Sequence, residues 1–505
     1  MKKEFKIYYT SDTHGHINPV NYATKTSKEA GLIACSERFV KDENTLIIDG
    51  GDTIQGSPFT MFTAKNNYPE HPVATVLNAA DYDFITLGNH DFNYGEEHLN
   101  NYLSTVNANC LCANVKDATD TLPIGDFAVK TLANGLKIGI VGIVTDFVNV
   151  WEKPENIKNL TISDPFVAAQ AALSKMKNQV DVTICLYHGG FEADLETGVL
   201  LSKTTENVGY KIARELDFDL LLTAHQHMPI ESLNLFGTHI VQPAANAVSF
   251  LEITATVDNG GVDFKSSFQL PDSGNSFGNY SELLRLEAEV QTWLDEPVGF
   301  LNQPLLPATK AQMALNGTPI ADFFNQIQLE ITGADISCTS LANEIKGFDA
   351  AVTVRDVVAT YIYPNTLCTL EVPGAALATV LETVASYLEI GADGQPEVSQ
   401  KFLHPKVEHF NFDYFAGLTY EADLRQPVGS RVLNVFVNGN ALDVNKKYTV
   451  AMNNYRTTGV GGYEVYADCP LLKEEPVEIS ELIIGYLEKY QHVTVKEFAK
   501  SKFIW

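Results

Sequence analysis

Phe84-Ile85-Thr86-Leu87-Gly88-Asn89-His90-Asp91-Phe92-Asn93-Tyr94-Gly95 joins a short apolar, β-prone run to a turn carrying a carboxamide, an imidazole and a carboxylate in succession. The run Phe84 to Leu87 reads as a central strand buried on both faces. A neutral amide, Asn89, beside an imidazole, His90, suits one ligand and one catalytic group at a strand end. The arrangement repeats along the chain. Phe5 to Thr10 precedes Asp12 and His14, Thr45 to Ile48 precedes Asp52, Val182 to Tyr187 precedes His188, and Leu220 to Thr223 precedes His225 and His227. Strands that each end in a metal-capable residue bring those residues together at the carboxyl edge of one sheet, where open sheets bind ligands.

The ordered set D-x-H, G-D, G-N-H-D, H-G-G, H-x-H is a ligand inventory for two divalent cations acting on a phosphoester. Two such ions clamp a phosphoryl group and generate a hydroxide for attack on phosphorus, because a metal lowers the pKa of its water. The pair needs a shared carboxylate, and Asp52 is the natural bridge. Asp12, His14 and one histidine of the His225/His227 pair complete one ion; Asn89, His188 and the other histidine complete the second. Alternate residues of an extended H-x-H point to opposite sides, so each histidine serves a different ion. Mixed Asp, Asn and His donors suit Zn²⁺, Mn²⁺, Co²⁺ or Fe equally. His90 is left over, an imidazole beside the ions to stabilise the transition state or protonate the leaving oxygen, with Asp91 grouped with it as catalytic and Asp91 and Asn93 as the neighbours available to orient it. His16, His71, His98, His239, His404, His409 and His492 lack a matching motif and read as structural or exposed, and Asp49 as a strand-end loop residue.

A chain of 505 residues exceeds what one hydrophobic core usually supports, so two domains are expected. Lys plus Arg number 35 against 63 Asp plus Glu, a formal charge of −28. Such a surface repels nucleic-acid backbones and anionic lipid, which disfavours polymer and membrane partners and leaves a small anionic substrate possible where local cations decide. Met1-Lys2-Lys3 is followed by only a few apolar residues before Asp12, so that stretch reads as the first strand and not as a signal peptide. No apolar run approaches ~18 residues, so no membrane span is expected. The seven cysteines show no C-x-x-C spacing and read as reduced residues of a cytoplasmic protein. Oligomeric state is not legible.

Residues 1–270 alternate strand-like and helical runs, as a layered α/β domain does. Helices are expected at Lys28 to Lys41, Val73 to Ala80, Glu96 to Val106 and Phe166 to Lys177. Pro271-Asp272-Ser273-Gly274-Asn275-Ser276 is a turn-rich break, after which Leu283, Leu286, Val290 and Trp293 recur at helical spacing within Tyr280 to Asp295. Residues 271–304 therefore read as a linker with a connecting helix, and 305–505 as a smaller α+β domain with an Asn438-Gly439 hairpin between Val435 to Val437 and the run after Leu442.

These motifs resemble the calcineurin-like metallophosphoesterase superfamily, and over the whole chain the two-domain 5'-nucleotidase family. The resemblance implies β sheets flanked by helices in the first domain and a substrate-binding second domain. By position it makes Asp12, His14, Asp52 and His227 ligands of one ion, Asp52, Asn89, His188 and His225 ligands of the other, and His90 the catalytic histidine. Within the family, Gly88 to Gly95 resembles the bifunctional 2',3'-cyclic-nucleotide 2'-phosphodiesterase/3'-nucleotidase branch, as do Ile362-Tyr363-Pro364-Asn365-Thr366-Leu367 and Asn453-Asn454-Tyr455-Arg456. The 5'-nucleotidase branch carries aspartate where Asn93 stands, pairing it with the catalytic histidine, so that dyad is missing here. Its N-G-G-G-x-R segment is replaced near Ser340-Leu341-Ala342-Asn343, and Ala224 stands where G-H-x-H has glycine.

The resemblance implies that Tyr363 and Tyr455 sandwich a nucleobase, with Asn454 and Arg456 alongside. Each tyrosine lies by a turn signal, where a ring can face a cleft. Rival readings are a 5'-nucleotidase, a hydrolase of sugar phosphates or nucleotide sugars, and a catalytically silent nucleotide-binding protein. The last predicts an eroded ligand set, and none of these positions is eroded. Most relatives are exported, whereas no signal is read here.

Overall fold

The computed structural model describes residues 2–66, 68–201, 204–258, 261–272, 280–363, 365–404 and 407–505. Ser273 to Ser276 of the expected break, and Pro364, lie outside the described residues. The chain divides into two compact units: residues 1–21 with 25–291, and residues 22–24 with 292–505. The division falls inside the helix Ser281–Leu294.

The first unit is built on two sheets. One has seven strands, in the spatial order Gly261–Gln269, Phe250–Asp258, Lys3–Thr10, Thr45–Asp49, Phe84–Ile85, Asn109–Leu111, Ile124–Gly125. The other has six: Ile230–Leu235, Thr238–Gln242, Leu220–Thr223, Val182–His188, Lys137–Val144, Phe127–Thr131. The expectation of one sheet is thereby corrected, and the arrangement follows the several sheets that the resemblance implied. Three of the motif-bearing strands belong to the first sheet and two to the second, paired in parallel within each.

Alternation explains the stack. Phe5, Ile7, Tyr9, Leu46 and Ile48 of one sheet pack with Ile138, Ile140, Ile184, Leu186, Leu220 and Leu222 of the other. The intervening Cys185, Tyr187 and Leu221 face the opposite way, against Phe166, Leu173 and Met176 of helix Pro165–Met176 and Ile212 of helix Gly209–Glu215. Each buried Ile or Leu contributes about 1.5–3 kcal/mol. A one-residue slip would exchange the two faces and carry His188 away from the strand end, so packing fixes where the ligands stand.

Three of the expected helices form close to their predicted bounds, at Pro72–Ala79, Gly95–Thr105 and Pro165–Met176. The helix expected over Lys28 to Lys41 shrinks to Leu32–Ser36. Gly31 before it takes φ 110°, outside helical geometry, and Phe39 leaves the helix to stack on Tyr8 at 4.9 Å.

The second unit carries a five-stranded sheet ordered Asp413–Ala416, Ile336–Ser340, Lys447–Asn453, Thr366–Pro373, Leu471–Glu478. Its core joins Ile336, Leu370, Val450 and Met452 to Leu377, Leu381 and Val384 of helix Gly374–Ala385. Asn438 and Gly439, at φ 48° and 78°, close the expected hairpin and place Val437 opposite Asn440. Its returning strand is only Asn440–Ala441; the longer run after Leu442 becomes the central strand Lys447–Asn453 of the five-stranded sheet. All seven cysteines are free. No helix among the described residues is long and apolar enough to cross a membrane.

Candidate metal centre

Asp12 follows strand Lys3–Thr10, Asp52 follows Thr45–Asp49, Asn89 and His90 follow Phe84–Ile85, His188 ends Val182–His188, and His225 and His227 follow Leu220–Thr223. Two clusters result, Asp12 with His14 and His227, and Asp52 with His188 and His225; within each, the candidate ligand atoms all lie within 4.8 Å of one another. Asp52 Oδ2 is 3.2 Å from His188 Nε2 and 3.9 Å from His14 Nε2, so it touches both clusters. His227 Nε2 is 3.4 Å from Asp12 Oδ1 and 3.0 Å from His14 Nε2.

The backbone is bent to reach this arrangement. Asp12, His14, Asp52, His225 and His227 all take positive φ, between 47° and 72°. Non-glycine residues in that region cost on the order of 1–3 kcal/mol each, and such strain concentrates at functional sites. Close approach adds a second constraint: a Cβ on Gly88 would sit 2.1 Å from Asp52 Oδ1, and one on Gly51 2.3 Å from the Gly88 nitrogen. Only glycine at both positions lets the turn carrying Asn89 lie against Asp52.

The outer nitrogens are anchored. His188 Nδ1 is 2.7 Å from the Gly50 carbonyl and His14 Nδ1 is 3.1 Å from that of Gln55, an arrangement that turns each Nε2 inward. His225 Nε2 meets Glu206 Oε1 at 3.2 Å, and the Trp151 ring lies 5.5 Å from the His225 ring. No motif marks Glu206 or Trp151, and the sequence reading missed both.

Charge is distributed so that the carboxylates stay ionised. Burial pushes the Asp12 carboxyl up, but the hydrogen bond from His227 and the charges of His188 and His227 outweigh it and lower it to about 2. Burial likewise opposes ionisation of Asp52, and His188, His90 and His14 hold it well below the usual carboxylate range. Burial pulls His188 down, yet Asp52 and Asp12 raise it to about 10, whereas burial takes His14 to about 4 despite Asp52. Asp49 stands apart from both clusters: it accepts from Thr10 and Thr53, and burial raises it to about 7.

Two buried oxygens in the centre, Asp12 Oδ2 and Asn89 Oδ1, lack a hydrogen-bond partner, and His188 Nε2 faces the Asp52 carboxylate at 3.2 Å. Leaving such groups unpaired costs roughly 1–3 kcal/mol each. A carboxylate oxygen, an amide oxygen and an imidazole nitrogen are the donors that borderline divalent ions accept, so the residues fit a metal centre.

His90 belongs to neither cluster. Its backbone N–H donates to Asp52 Oδ1 at 2.7 Å, and its ring lies 5.4 Å from that of His14. Asp91, grouped with it as catalytic from the sequence, does something else. Both Asp91 oxygens are taken by backbone N–H groups, from Asp52 and Gly88 on one and Thr53 and Ile54 on the other, at 2.7–3.0 Å. It pins the Asp52 loop to the Asn89 turn and makes no contact with the His90 ring. Asn93 Oδ1 lies 2.9 Å from His90 Nδ1, and Asn93 Nδ2 donates to Glu152 Oε2 at 2.7 Å.

In the second unit Tyr455 is exposed and Tyr363 half-buried, with Phe410 edge-on to both at 6.3 and 6.2 Å. Burial raises the Tyr363 phenol, and neighbouring Tyr455 adds to the effect. Asn454 Oδ1 is buried without a partner. Arg456, expected from the resemblance beside the substrate, is placed in the interior of the second unit. It is 1% exposed, pairs with Asp413 at 2.9 Å, donates to the Phe410 and Val460 carbonyls and stacks over Tyr463 at 3.9 Å. It fixes the segment bearing Phe410.

Residues 5–229 match the family model for calcineurin-like phosphoesterases, and residues 297–468 that for the 5'-nucleotidase C-terminal domain. A Salmonella typhimurium 2',3'-cyclic-nucleotide 2'-phosphodiesterase/3'-nucleotidase is 23% identical over 90% of this chain and 81% of its own length. A trifunctional nucleotide phosphoesterase protein of Bacillus subtilis is 24% identical over 97% of this chain, which spans 38% of that protein. A crystallised Staphylococcus aureus protein assigned as a 5'-nucleotidase, in complex with alpha-ketoglutarate, matches with a TM-score of 0.73 at 31% identity, covering 100% of both chains.

Proposed function

We propose that this chain, which belongs to the two-domain 5'-nucleotidase family of calcineurin-like phosphoesterases, hydrolyses nucleotides at a dinuclear metal centre in its first unit. Family membership makes it a metal-dependent phosphoric ester hydrolase. The observation that carries the dinuclear reading is the position of Asp52 between two ligand clusters. Asp12, His14, Asp52 and His227 would hold one cation, and Asp52, Asn89, His188 and His225 the other. Divalent cations there supply charge for the phosphoryl oxygens and acidify the attacking water. His90, outside both sets, stabilises the phosphoryl group or hands a proton to the leaving oxygen. Asp91 holds the loop that presents Asp52.

Base recognition is assigned to Tyr363 and Tyr455, with Phe410 supporting both rings and Asn454 offering an unsatisfied carbonyl oxygen. Stacking on an aromatic face contributes roughly 1–3 kcal/mol per base and tolerates any base. Tyr363→Ala and Tyr455→Ala are each expected to raise KM by about one to two decades for every nucleotide while sparing p-nitrophenyl phosphate. A defect shared by p-nitrophenyl phosphate makes the tyrosines structural, and unchanged nucleotide kinetics place the base elsewhere.

The substrate reading favours 2',3'-cyclic and 3'-nucleotides, supported by Asn93 in place of the dyad aspartate, by the Asn-Tyr-Gly run and by relatives of that name. The test is a screen of metal-reconstituted protein against 2',3'-cyclic, 3'- and 5'-nucleotides. The first two are expected to turn over at least as well as the third. A clear preference for 5'-monophosphates reverses the branch assignment and leaves the metal chemistry intact; no hydrolysis of any phosphoester with metals bound overturns the enzyme reading.

A further inference from the structure

We infer that Glu152 is a positioning residue: acting through the Asn93 carboxamide, it fixes the tautomer of His90 and confines proton exchange to Nε2. The inference rests on the role proposed above for His90. Asn93 touches both partners, Oδ1 at 2.9 Å from His90 Nδ1 and Nδ2 at 2.7 Å from Glu152 Oε2. A carboxamide is ambiguous by itself, because its two ends exchange by a half-turn and either end satisfies an imidazole nitrogen. Glu152 removes the ambiguity. As a carboxylate it only accepts, so the amide must turn its nitrogen toward Glu152 and its oxygen toward His90. An oxygen there accepts only from N–H, and His90 therefore keeps a proton on Nδ1 whether the ring is neutral or charged.

Glu152 is itself held for this task. It is 6% exposed, its Oε1 accepts the Lys153 backbone N–H at 2.7 Å and Asn156 Nδ2 at 2.9 Å, and Asn156 Nδ2 also reaches the Asn93 carbonyl at 2.8 Å. The Lys153 N–H and the Asn156 amide nitrogen, itself fixed by the Asn93 carbonyl, both donate to Oε1, and the carboxylate's other oxygen is left to accept from Asn93. The aspartate–histidine dyad absent from the sequence is thus rebuilt in three parts, with the carboxylate supplied from 59 residues away.

The test is a swap. Glu152→Gln keeps its amide oxygen on the Lys153 N–H and turns its nitrogen to Asn93, which must then present its oxygen to Gln and its own nitrogen to His90. With 2',3'-cyclic AMP and the Mn²⁺-loaded two-unit chain, kcat is expected to fall roughly 10–100-fold, at unchanged KM, metal content and melting temperature. Asn93→Asp sets two carboxylates against each other and is also expected to lose turnover. Combining the two restores a single polarity, the new side-chain amide donating to the new carboxylate and the carboxylate accepting from His90. The double variant is expected to regain about tenfold or more over either single one. A merely structural Glu152 gives no such rescue.

A second readout is independent of turnover: ¹⁵N spectra of histidine-labelled, metal-free protein, with the His90 signals identified by their loss in His90→Ala. Wild type is expected to show Nδ1–H, and Glu152→Gln Nε2–H in the neutral ring. Overturning results are Nε2–H in wild type, a Glu152→Gln variant with wild-type kcat and tautomer, or a double variant no better than the singles. If wild type cleaves no phosphoester yet shows Nδ1–H, the functional reading fails and the positioning role of Glu152 survives.

Discussion

Asp52→Asn is expected to lose hydrolysis and both metal ions together. Asp52 Oδ2 lies 3.2 Å from the ring nitrogen of His188 and 3.9 Å from that of His14, one histidine of each cluster. Asp12 and Asp52 are the only carboxylates within the two clusters. Removing one leaves a single negative charge to offset two dications in a buried site, where uncompensated charge costs several kcal/mol. The substitution should nonetheless fold. Asparagine matches aspartate in size, tolerates the φ of 55° at this position, and its carbonyl oxygen still accepts the His90 N–H now held at 2.7 Å. Elemental analysis of the reconstituted variant beside kinetics and melting decides the matter. Two tightly held ions with near-normal turnover would remove Asp52 as the bridge, and an unfolded variant would show that its carboxylate is needed for the fold.

What the sequence made legible was local. The strand-end ligands could be read because a buried strand is uniformly apolar and its first polar residue marks the edge. Alternation could not say how many sheets there were, since Ile184 and Cys185 are equally apolar although they face different layers. The orientation of His90 was harder. Asp91 and Asn93 are both near it in sequence, but in the tight turn Asn89–Phe92 the Asp91 side chain reaches back to the Gly88 N–H and only Asn93 reaches the ring. Glu152 and Glu206 arrive from distant segments with no motif around them. The burial of Arg456 has a geometric reason. Neighbours on a helix point about 100° apart, so within Asn454–Thr457 an exposed Tyr455 implies an Arg456 turned toward the core. Phe410 carries no signal of its own; its place beside both tyrosines comes from tertiary packing.

His90→Ala separates chemistry from metal binding. The alanine backbone keeps the N–H that donates to Asp52 Oδ1, so the bridge is undisturbed, and the imidazole that disappears is a member of neither ligand cluster. Its ring nevertheless stands 5.4 Å from that of His14, close enough for Nε2 to serve the reacting phosphoryl group while Nδ1 is occupied by Asn93. Metal content is therefore expected to stay at the wild-type value while kcat falls on the order of 10²-fold or more, the scale of losing one general acid or one transition-state donor. Activated esters divide the two roles. With p-nitrophenyl phosphate, whose leaving oxygen needs no proton, a small loss marks His90 as the proton donor, and a loss as large as that with 2',3'-cyclic AMP marks it as a stabiliser of the phosphoryl oxygens. Departure of one ion from His90→Ala would make the residue a ligand and end its assignment to the chemical step.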